Sequence, residues 1–193
     1  MNKKRCAWVP LDDPLYVSYH DEEWGVPVHD DHVLFEMLVL EGMQAGLSWI
    51  TVLRKREGYR EAFHNFNIDA ILAYNEEKVE ALMQNPSIIR NRLKIHSVIK
   101  NAAAFRAIQE EFGSFSAYLW GYVANKPLRL VRTGEPDVPA RTELSDAISA
   151  DLKKRGFKFV GTTIVCAYMH AVGIINGHAD DCFCLHRPSH PAS

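Results

Sequence analysis

Apolar residues recur along this chain with the spacing of helices rather than with the alternation of strands. The strongest apolar run covers 33–40, and its spacing predicts a buried helix that is capped by Asp30 or Asp31. Ser48 is suitable to cap a following helix that opens with Trp49. Because no alternating pattern lasts beyond four residues, we predict an all-α fold.

The other predicted helices are separated by capping residues and glycines. Asn67 and Asn75 are suitable N-caps for two short helices, and Gly113 and Gly156 are suitable to end two longer ones. In chain order we expect helices after residue 13 and over 50–56, 59–64, 68–74, 76–84, 88–112, 115–123, 144–155 and 161–172.

A length of 193 residues is enough for one substantial hydrophobic core. We expect 1–193 to form a single domain, in which a helical lobe of about 30–125 is built on a second lobe formed by 1–29 and 142–193. Between the lobes, prolines and a glycine exclude a regular element over 124–141. A loop of this length inside a compact domain is either functional or mobile.

Composition and charge restrict the possible partners. The chain is 47% hydrophobic and 24% charged, which is ordinary for a globular protein, and its net charge is −2. This charge argues against a broad basic surface for nucleic acid, but it allows phosphates to be held by backbone amides. Arg90, Arg92 and Lys94 of the longest helix are expected to form a solvated face.

The sequence predicts a cytoplasmic protein with no membrane partner, and we expect a monomer. No apolar run approaches the ~20 residues that span a bilayer, and no apolar segment follows the basic N-terminus, so no signal peptide is expected. The four cysteines are too few for a disulfide scaffold at this size and are more typical of buried thiols or metal ligands.

One short stretch combines a carboxylate, two glycines and a large ring. Glu41 follows the apolar run, Gly46 and Leu47 form the next turn, and Trp49 opens the next helix. A surface glutamate at an ordinary helix corner is the alternative interpretation. Further upstream, Tyr16, Tyr19 and His20 share one face of a predicted helix. Tyrosines in such a stripe either belong to the core or point their hydroxyl groups into a cavity.

The two ends of the chain carry residues that suit a metal ion. His178 and Cys182 have a spacing that lets an imidazole and a thiol meet one ion. With Cys6 and His20 they make a Cys2His2 set, which is typical of a structural zinc site, and this site would join the N- and C-terminal segments. In the alternative, Cys6 is a free thiol and the tail is a loose segment. The tail also offers three competing ligands, Cys184, His186 and His190.

A second motif, over 153–163, joins two predicted helices by a short glycine-bounded link. The first amides of the second helix, at Gly161, Thr162 and Thr163, can hold a backbone phosphate together with the threonine hydroxyls. Lysines and an arginine add positive charge there: Lys153, Lys154, Arg155 and Lys158. The alternative is an ordinary corner between helices with a solvated basic surface.

Together these residues make the chain resemble the bacterial 3-methyladenine DNA glycosylase I (Tag) family. The resemblance covers nearly the whole chain and rests on five motifs: Cys6-Ala-Trp-Val, Asp13-Pro-Leu-Tyr-Val-Ser-Tyr-His-Asp-Glu-Glu-Trp-Gly-Val-Pro27, Leu40-Glu-Gly-Met-Gln-Ala-Gly-Leu-Ser-Trp-Ile-Thr-Val-Leu53, Ile88-Ile-Arg-Asn-Arg and Lys154-Arg-Gly-Phe-Lys-Phe-Val-Gly-Thr-Thr-Ile164. It implies a helix–hairpin–helix DNA glycosylase fold, excision of N3-methyladenine from alkylated double-stranded DNA with free 3-methyladenine as product, and a structural zinc ion.

The resemblance also implies roles for particular residues. Glu41 corresponds to the carboxylate that reads the base, and Gly46-Leu47 to the segment that fills the gap left by the extruded nucleotide. The aromatic pocket corresponds to Tyr16, Tyr19, Trp24 and Trp49. The zinc ligands correspond to Cys6, His20, His178 and Cys182, and the hairpin contacts to DNA are expected from Lys158, Gly161, Thr162 and Thr163.

One feature limits the resemblance, and another bears on the choice of function. Asp180 and Asp181, between two of the proposed ligands, are unusual for the family. The segment 161–173 contains no Asp or Glu, as in the family, and no lysine is placed to form a Schiff base, so a monofunctional glycosylase is expected. The rival hypotheses are a non-catalytic, zinc-containing DNA-binding module and a zinc-dependent hydrolase.

Overall fold

The computed structural model describes residues 3–130 and 138–186. Within these ranges the chain forms ten α-helices, one π-helical turn and two short strands. The helices are α1 Pro14–Ser18, α2 Asp31–Met43, α3 Trp49–Leu53, α4 Arg56–Ala62, α5 Ile68–Leu72, α6 Glu76–Met83, α7 Arg92–Phe112, α8 Phe115–Gly121, α9 Glu143–Lys154 and α10 Thr162–Ala171; the π-helical turn is Tyr19–Glu23, and the strands are β1 Leu128–Arg129 and β2 Ile175–Asn176. The prediction of an all-α class is confirmed.

Side-chain caps set several helix boundaries. Asp30 caps α2 by accepting a hydrogen bond from Val33 N at 2.9 Å, and Asn67 and Asn75 cap α5 and α6 as predicted. The long helix α7 begins at residue 92 rather than 88, because Asn91 caps it and holds the preceding residues in a non-helical conformation.

Helix α2 is the centre of the core. Its residues 34–43 are all buried, and it packs against α3, α7, α8 and α10. A helix that is apolar on every side must be enclosed in this way. Phe35 contacts Phe105 of α7 with ring centroids 5.0 Å apart, and Phe105 stacks on Phe115 of α8 at 4.1 Å. Aromatic contacts with α7 and α8 therefore hold the first half of α2 in the core.

The strands β1 and β2 form a parallel pair that the sequence pattern does not predict. Each strand has two residues, so neither is long enough to show alternation. The pair joins the start of the predicted 124–141 loop to the segment after α10. Residues 131–137 of that loop lie outside the described residues.

The predicted solvated basic face on α7 is wrong for one of its three members. Arg92 is exposed and pairs with Glu76 at 2.8 Å and Glu80 at 2.6 Å, whereas Lys94 is buried, with 6% of its surface exposed. Among the described helices, none has the length and apolar character needed to cross a membrane.

Candidate functional site

A cavity of about 410 Å³ opens beside the last turn of α2. Five residues selected from the sequence line it: Tyr16, Tyr19, Trp24, Glu41 and Trp49. They come from α1, the π-helical turn, α2 and α3, so packing brings together residues that lie 33 positions apart. The cavity is thus formed mainly by aromatic rings with one carboxyl group among them.

The rings of the cavity support one another. Tyr19 and Trp49 are buried, with ring centroids 5.2 Å apart and planes inclined by 48°. Tyr16 is half-buried and lies 5.6 Å from Trp8, which in turn lies 4.9 Å from Trp24. Contacts of this kind fix the orientation of each ring. The cavity is therefore lined by electron-rich ring surfaces in fixed positions.

Glu41 is buried, with 3% of its surface exposed. The alternative of a surface glutamate at a helix corner is therefore wrong. Its Oε2 has no hydrogen-bond partner among the described residues, and burial raises the pKa of its carboxyl group from 4.5 to about 8. Burial, followed by the nearby Glu41 carboxylate, also raises the pKa values of Tyr16 and Tyr19.

The backbone around Glu41 depends on two glycines. A Cβ atom at Gly42 would lie 3.3 Å from Cβ of Phe159, which belongs to the link between α9 and α10. Gly46 has a φ of +77°, in the left-handed region that favours glycine. It turns the chain after α2 so that the next residue, Leu47, is 41% exposed.

The four cysteine and histidine residues selected as metal ligands form one buried group. Their ligand atoms all lie within 4.8 Å of one another: Cys6, His20, His178 and Cys182. Sγ of Cys182 lies 3.5 Å from Nδ1 of His178 and 3.6 Å from Nε2 of His20. A tetrahedral zinc ion, with bonds of about 2.3 Å to sulfur and about 2.0 Å to nitrogen, separates such ligands by about 3.5 Å. The group therefore fits a tetrahedral metal ion.

Hydrogen bonds orient both imidazole rings. Nε2 of His178 donates to the Trp24 carbonyl oxygen at 3.0 Å, and Nδ1 of His20 donates to Asp21 at 2.8 Å. Arg5 holds Asp21 through two hydrogen bonds of 2.8 and 2.6 Å. Outer partners of this kind fix the ring nitrogen that faces a metal.

The π-helical turn places consecutive residues in different sites. Tyr19 packs on Trp49 in the cavity, whereas His20 belongs to the metal-ligand group. Trp24, at the end of the turn, also faces both sites: its ring lines the cavity and lies 4.7 Å from the His178 ring. The metal-ligand group and the cavity are therefore parts of one structure.

The other polar residues of the tail lie outside this group. Asp180 pairs with Arg129 of β1 at 2.5 Å, and Asp181 pairs with Lys4 at 2.5 Å, so the two unusual carboxylates connect the tail to other segments. Cys184 is buried near Asp21, and His186 is exposed. His190 lies outside the described residues.

The link between α9 and α10 has an ordered backbone. Asn101 of α7 accepts from Lys158 N at 2.7 Å and donates to the Lys158 carbonyl at 3.0 Å, while the Lys158 side chain is exposed. Gly161 is the N-cap of α10 and provides no side-chain cap, so the first amides of α10 remain suitable for an anion.

Two residues of the predicted phosphate site are engaged within the protein. The Thr162 hydroxyl donates to Asp146 at 2.6 Å, whereas Thr163 is exposed. Arg155 pairs with Glu111 at 2.6 Å and with Asp151 at 2.7 Å. Positive charge at this corner therefore comes mainly from the lysines.

Sequence reasoning missed five residues that line the cavity: Trp8, Gln44, Val138, Ala167 and His170. Helical periodicity offered a signal for some of them, since Gln44 is one turn after Glu41 and His170 is one turn after Ala167. Val138 follows the 131–137 stretch, and no periodic pattern points to it.

Comparison with known proteins gives consistent matches. A sequence profile described as methyladenine glycosylase matches residues 8–185. DNA-3-methyladenine glycosylase 1 of Escherichia coli (strain K12) is 50% identical over 181 residues, which cover 94% of this chain and 96% of that protein. Nearly the whole of each protein is therefore aligned.

Solved structures agree in fold as well as in sequence. A crystal structure of 3-methyladenine DNA glycosylase I (TAG) has a TM-score of 0.90 at 51% identity and covers 94% of this chain and 99% of that chain. A variant of 3-methyladenine DNA glycosylase I in complex with 3-methyladenine has a TM-score of 0.91 at 36% identity and covers 95% and 98%. With the profile match over most of its length, this chain belongs to the methyladenine glycosylase family.

Proposed function

We propose that this chain is a DNA-3-methyladenine glycosylase, which hydrolyses the N-glycosidic bond of N3-methyladenine in alkylated double-stranded DNA. The observation that carries the proposal is the buried carboxyl group of Glu41, whose Oε2 has no hydrogen-bond partner in the described part of the chain and which lies in an aromatic cavity. The names of the relatives, and the 3-methyladenine bound to one of them, support the same substrate. A base in the middle of a duplex must leave the stack to reach such a cavity.

The cavity suits the charge of the damaged base. Adenine methylated at N3 within DNA is a cation, and its glycosidic bond is already weakened. The rings of Trp49 and Tyr16 attract a desolvated cation by roughly 1–2 kcal/mol. Normal adenine is neutral and has a stronger glycosidic bond, so charge and bond lability select the lesion together.

Glu41 complements the same charge. Its raised pKa indicates that burial disfavours the carboxylate in the empty cavity. A cationic base reverses this preference, because a nearby positive charge stabilises the ionised form. The carboxylate then accepts hydrogen bonds from the amino edge of the base. A neutral base provides no such compensation.

Hydrolysis then proceeds without a covalent enzyme intermediate. Water attacks C1′ of an oxocarbenium-like sugar, the neutral 3-methyladenine leaves, and the water proton is released. Among the described residues that line the cavity there is no lysine, which supports a monofunctional glycosylase without lyase activity.

The metal-ligand group is proposed to hold one structural Zn²⁺ through Cys6, His20, His178 and Cys182. Two thiolates and two imidazoles are the donors that zinc prefers, and four protein ligands occupy the tetrahedral positions. This arrangement disfavours a zinc-dependent hydrolase, which needs an open coordination position. A bound Zn²⁺ would connect the N-terminal segment, through Cys6 and His20, to the C-terminal segment, through His178 and Cys182.

DNA is proposed to bind through two separate segments. The α9–α10 hairpin contacts the backbone through Lys158 and the amides of Gly161, Thr162 and Thr163. The exposed Leu47, presented by Gly46, fills the space from which the nucleotide is extruded. A non-catalytic DNA-binding module would use the same segments but would not need a buried carboxyl group in an aromatic cavity.

The decisive experiment is base release from methylated DNA. Purified protein is incubated with duplex DNA that has been treated with a methylating agent, and the liberated bases are identified chromatographically. We expect 3-methyladenine to be released without strand cleavage. Binding to the same DNA with no base released would support the non-catalytic module instead.

Replacing Trp49 with alanine is expected to weaken the binding of free 3-methyladenine by about tenfold, because one stacking face is lost. Titration by calorimetry measures the affinity. Tyr122→Ala is the control, since Tyr122 is an exposed ring in a separate cavity. Equal affinities for wild type and Trp49→Ala would restrict Trp49 to a packing role.

Replacing Lys158 with alanine is expected to weaken DNA binding and to reduce the slope of log affinity against log salt by about 1, because one phosphate contact is lost. Fluorescence anisotropy at several salt concentrations provides the slope. Lys78→Ala is the matched control, since Lys78 lies on α6, outside the α9–α10 hairpin, and contacts the Tyr74 ring. An unchanged slope for Lys158→Ala would remove this lysine from the DNA interface.

A further inference from the structure

The buried amine of Lys94 binds the end of α2. Its Nζ donates to the carbonyl oxygens of Met43 and Ala45, both at 2.8 Å. Burial lowers the pKa of Lys94, as expected for an ammonium group removed from water. Placing this group inside the protein is unfavourable unless it is hydrogen-bonded, and the two carbonyl groups meet that requirement.

These carbonyl groups belong to the segment that connects the cavity to the exposed Leu47. Glu41 and Gln44 line the cavity, the chain reverses at Gly46, and Leu47 is exposed. We refer to 43–47 as the wedge turn. Within it, Leu47 N donates to the Gln44 carbonyl at 2.7 Å.

Backbone hydrogen bonds alone leave the wedge turn incompletely held. Gln44 N bonds to the Leu40 and Glu41 carbonyls, and Ala45 N bonds to Gly42 O at a long 3.4 Å. The carbonyls of Met43 and Ala45 receive their hydrogen bonds from Lys94 instead. Since a helix C-terminus carries partial negative charge, the ammonium group is also favoured there electrostatically.

The backbone of Lys94 is itself held in the first turn of α7. Lys94 N donates to the Asn91 cap at 3.1 Å, so the residue lies in an ordered helix start. Two nearby basic residues, Arg90 just before the helix and Arg92 at its first position, are exposed. Of the three, only Lys94 is buried. From this position the Lys94 side chain extends to the end of α2, whereas the Arg92 side chain pairs with Glu76.

We propose that Lys94 is a positioning residue for DNA engagement: it holds the wedge turn so that Leu47 is presented to the duplex while Glu41 stays in the cavity. This inference rests on the proposed function. Lys94 is not among the described residues that line the cavity. It therefore acts on extrusion of the nucleotide rather than on recognition of the free base.

The test separates binding of damaged-site DNA from binding of the free base. Lys94→Met keeps the length of the side chain but removes its donors. We expect its Kd for a duplex with a tetrahydrofuran abasic-site analogue, measured by anisotropy, to rise by about tenfold, because hydrogen bonds from a charged donor are lost. The Kd for free 3-methyladenine should stay within about twofold. Arg92→Met is the matched control for the loss of one positive charge.

A double-mutant cycle with Leu47→Ala tests whether Lys94 acts through the wedge turn. In the Leu47→Ala background, Lys94→Met should weaken DNA binding by only about twofold, since coupled residues are not additive. If Lys94→Met does not fold, Lys94→Gln, which retains two N–H donors, replaces it in the same cycle with a smaller loss expected.

Three results would overturn the inference. They are DNA binding by the Lys94 variant equal to that of wild type, additive effects in the cycle, and an equal loss of free-base binding, which would indicate a general structural role. Failure of the proposed function is distinguishable, because wild-type protein would then release no 3-methyladenine from methylated DNA. With base release intact, any of the three results rejects only the role of Lys94.

Discussion

Replacing Glu41 with glutamine is expected to reduce the release of 3-methyladenine from methylated DNA by at least about a hundredfold. Glutamine has nearly the same shape as glutamate but cannot carry the negative charge that complements the cationic base and the developing oxocarbenium ion. Single-turnover excision assays measure the loss. Metal content and DNA binding should remain at wild-type levels, because Glu41 belongs neither to the metal-ligand group nor to the hairpin.

The same substitution is expected to stabilise the fold at alkaline pH. Burial raises the pKa of Glu41 from 4.5 to about 8, so the folded protein retains a proton that the unfolded chain releases in this pH range. The wild-type protein therefore loses stability as the pH rises from 4.5 to about 8. A shift of this size corresponds to roughly 5 kcal/mol. Glu41→Gln lacks this loss, and its advantage in Tm should grow with pH.

Glu36 provides a matched control, because it is a second buried glutamate on α2. It accepts hydrogen bonds from Arg56 at 2.5 Å and from Arg60 at 2.8 Å, so Glu36→Gln removes the buried negative charge that both arginines share. We expect this variant to be destabilised across the pH range while the folded fraction still releases base. Normal excision by Glu41→Gln, with the Glu36 control behaving as expected, would remove the Glu41 charge from the mechanism.

Glu41→Gln is thus expected to increase stability and to decrease excision, which is a conflict between stability and activity at one residue. A carboxyl group without a partner in an apolar cavity is unfavourable for folding, yet it is this unsatisfied state that makes a cationic base a favourable ligand. The neighbouring Glu36 has its arginine partners and offers nothing to a ligand. Charge alone therefore does not distinguish the candidate carboxylate of Glu41 from Glu36; its Oε2, which has no partner among the described residues, does.

Much of the fold follows from local patterns. The apolar run at 33–40 predicts a buried helix, and Asn67 and Asn75 are observed at the caps where they were expected. The β1–β2 pair could not be predicted, because each strand has two residues and pairing depends on distant backbone contacts. The start of α7 was placed four residues early, since the apolar pattern continues through Ile88 and Ile89 although Asn91 caps the helix.

Local sequence patterns predict less of the candidate site than of the fold. The pattern around Glu41 is equally typical of a surface corner, and its burial depends on Tyr16, Tyr19 and Trp49 from other elements. The same applies to Lys94, because residues 90–93, which directly precede it, are all exposed. Family motifs identified Glu41 and the rings, but the contacts that bury Glu41 and direct Lys94 to α2 come from tertiary packing.

The metal-ligand group and the cavity share the N-terminal segment of the chain. Trp8, Tyr16 and Trp24 line the cavity, and this segment is connected to the C-terminal tail through Cys6 and His20. Because such a site does not persist in the unfolded chain, the free energy of metal binding adds to the free energy of folding. Loss of the metal should therefore release one wall of the cavity.

Replacing Cys182 with serine is expected to lower the free energy of unfolding by roughly 3–5 kcal/mol and to abolish metal binding, because three remaining ligands hold zinc poorly and leave buried polar groups without a partner. Denaturant titration and elemental analysis measure the two effects. Cys166→Ser is the matched control: Cys166 is also buried, but its thiol donates to the Pro139 carbonyl at 3.3 Å, so the loss there should be about 1 kcal/mol.

Removing the metal from wild-type protein with a chelator is expected to reduce thermal stability, free-base binding and excision together. An ion held at the proposed site would support the cavity wall through His20 and Trp24, so activity should persist only while that wall remains folded. Parallel measurement of metal content, Tm and excision at increasing chelator concentration tests this order. If excision ceased while Tm and free-base affinity stayed at wild-type values, the ion would act in the chemical step, and the zinc-dependent hydrolase would become the better hypothesis.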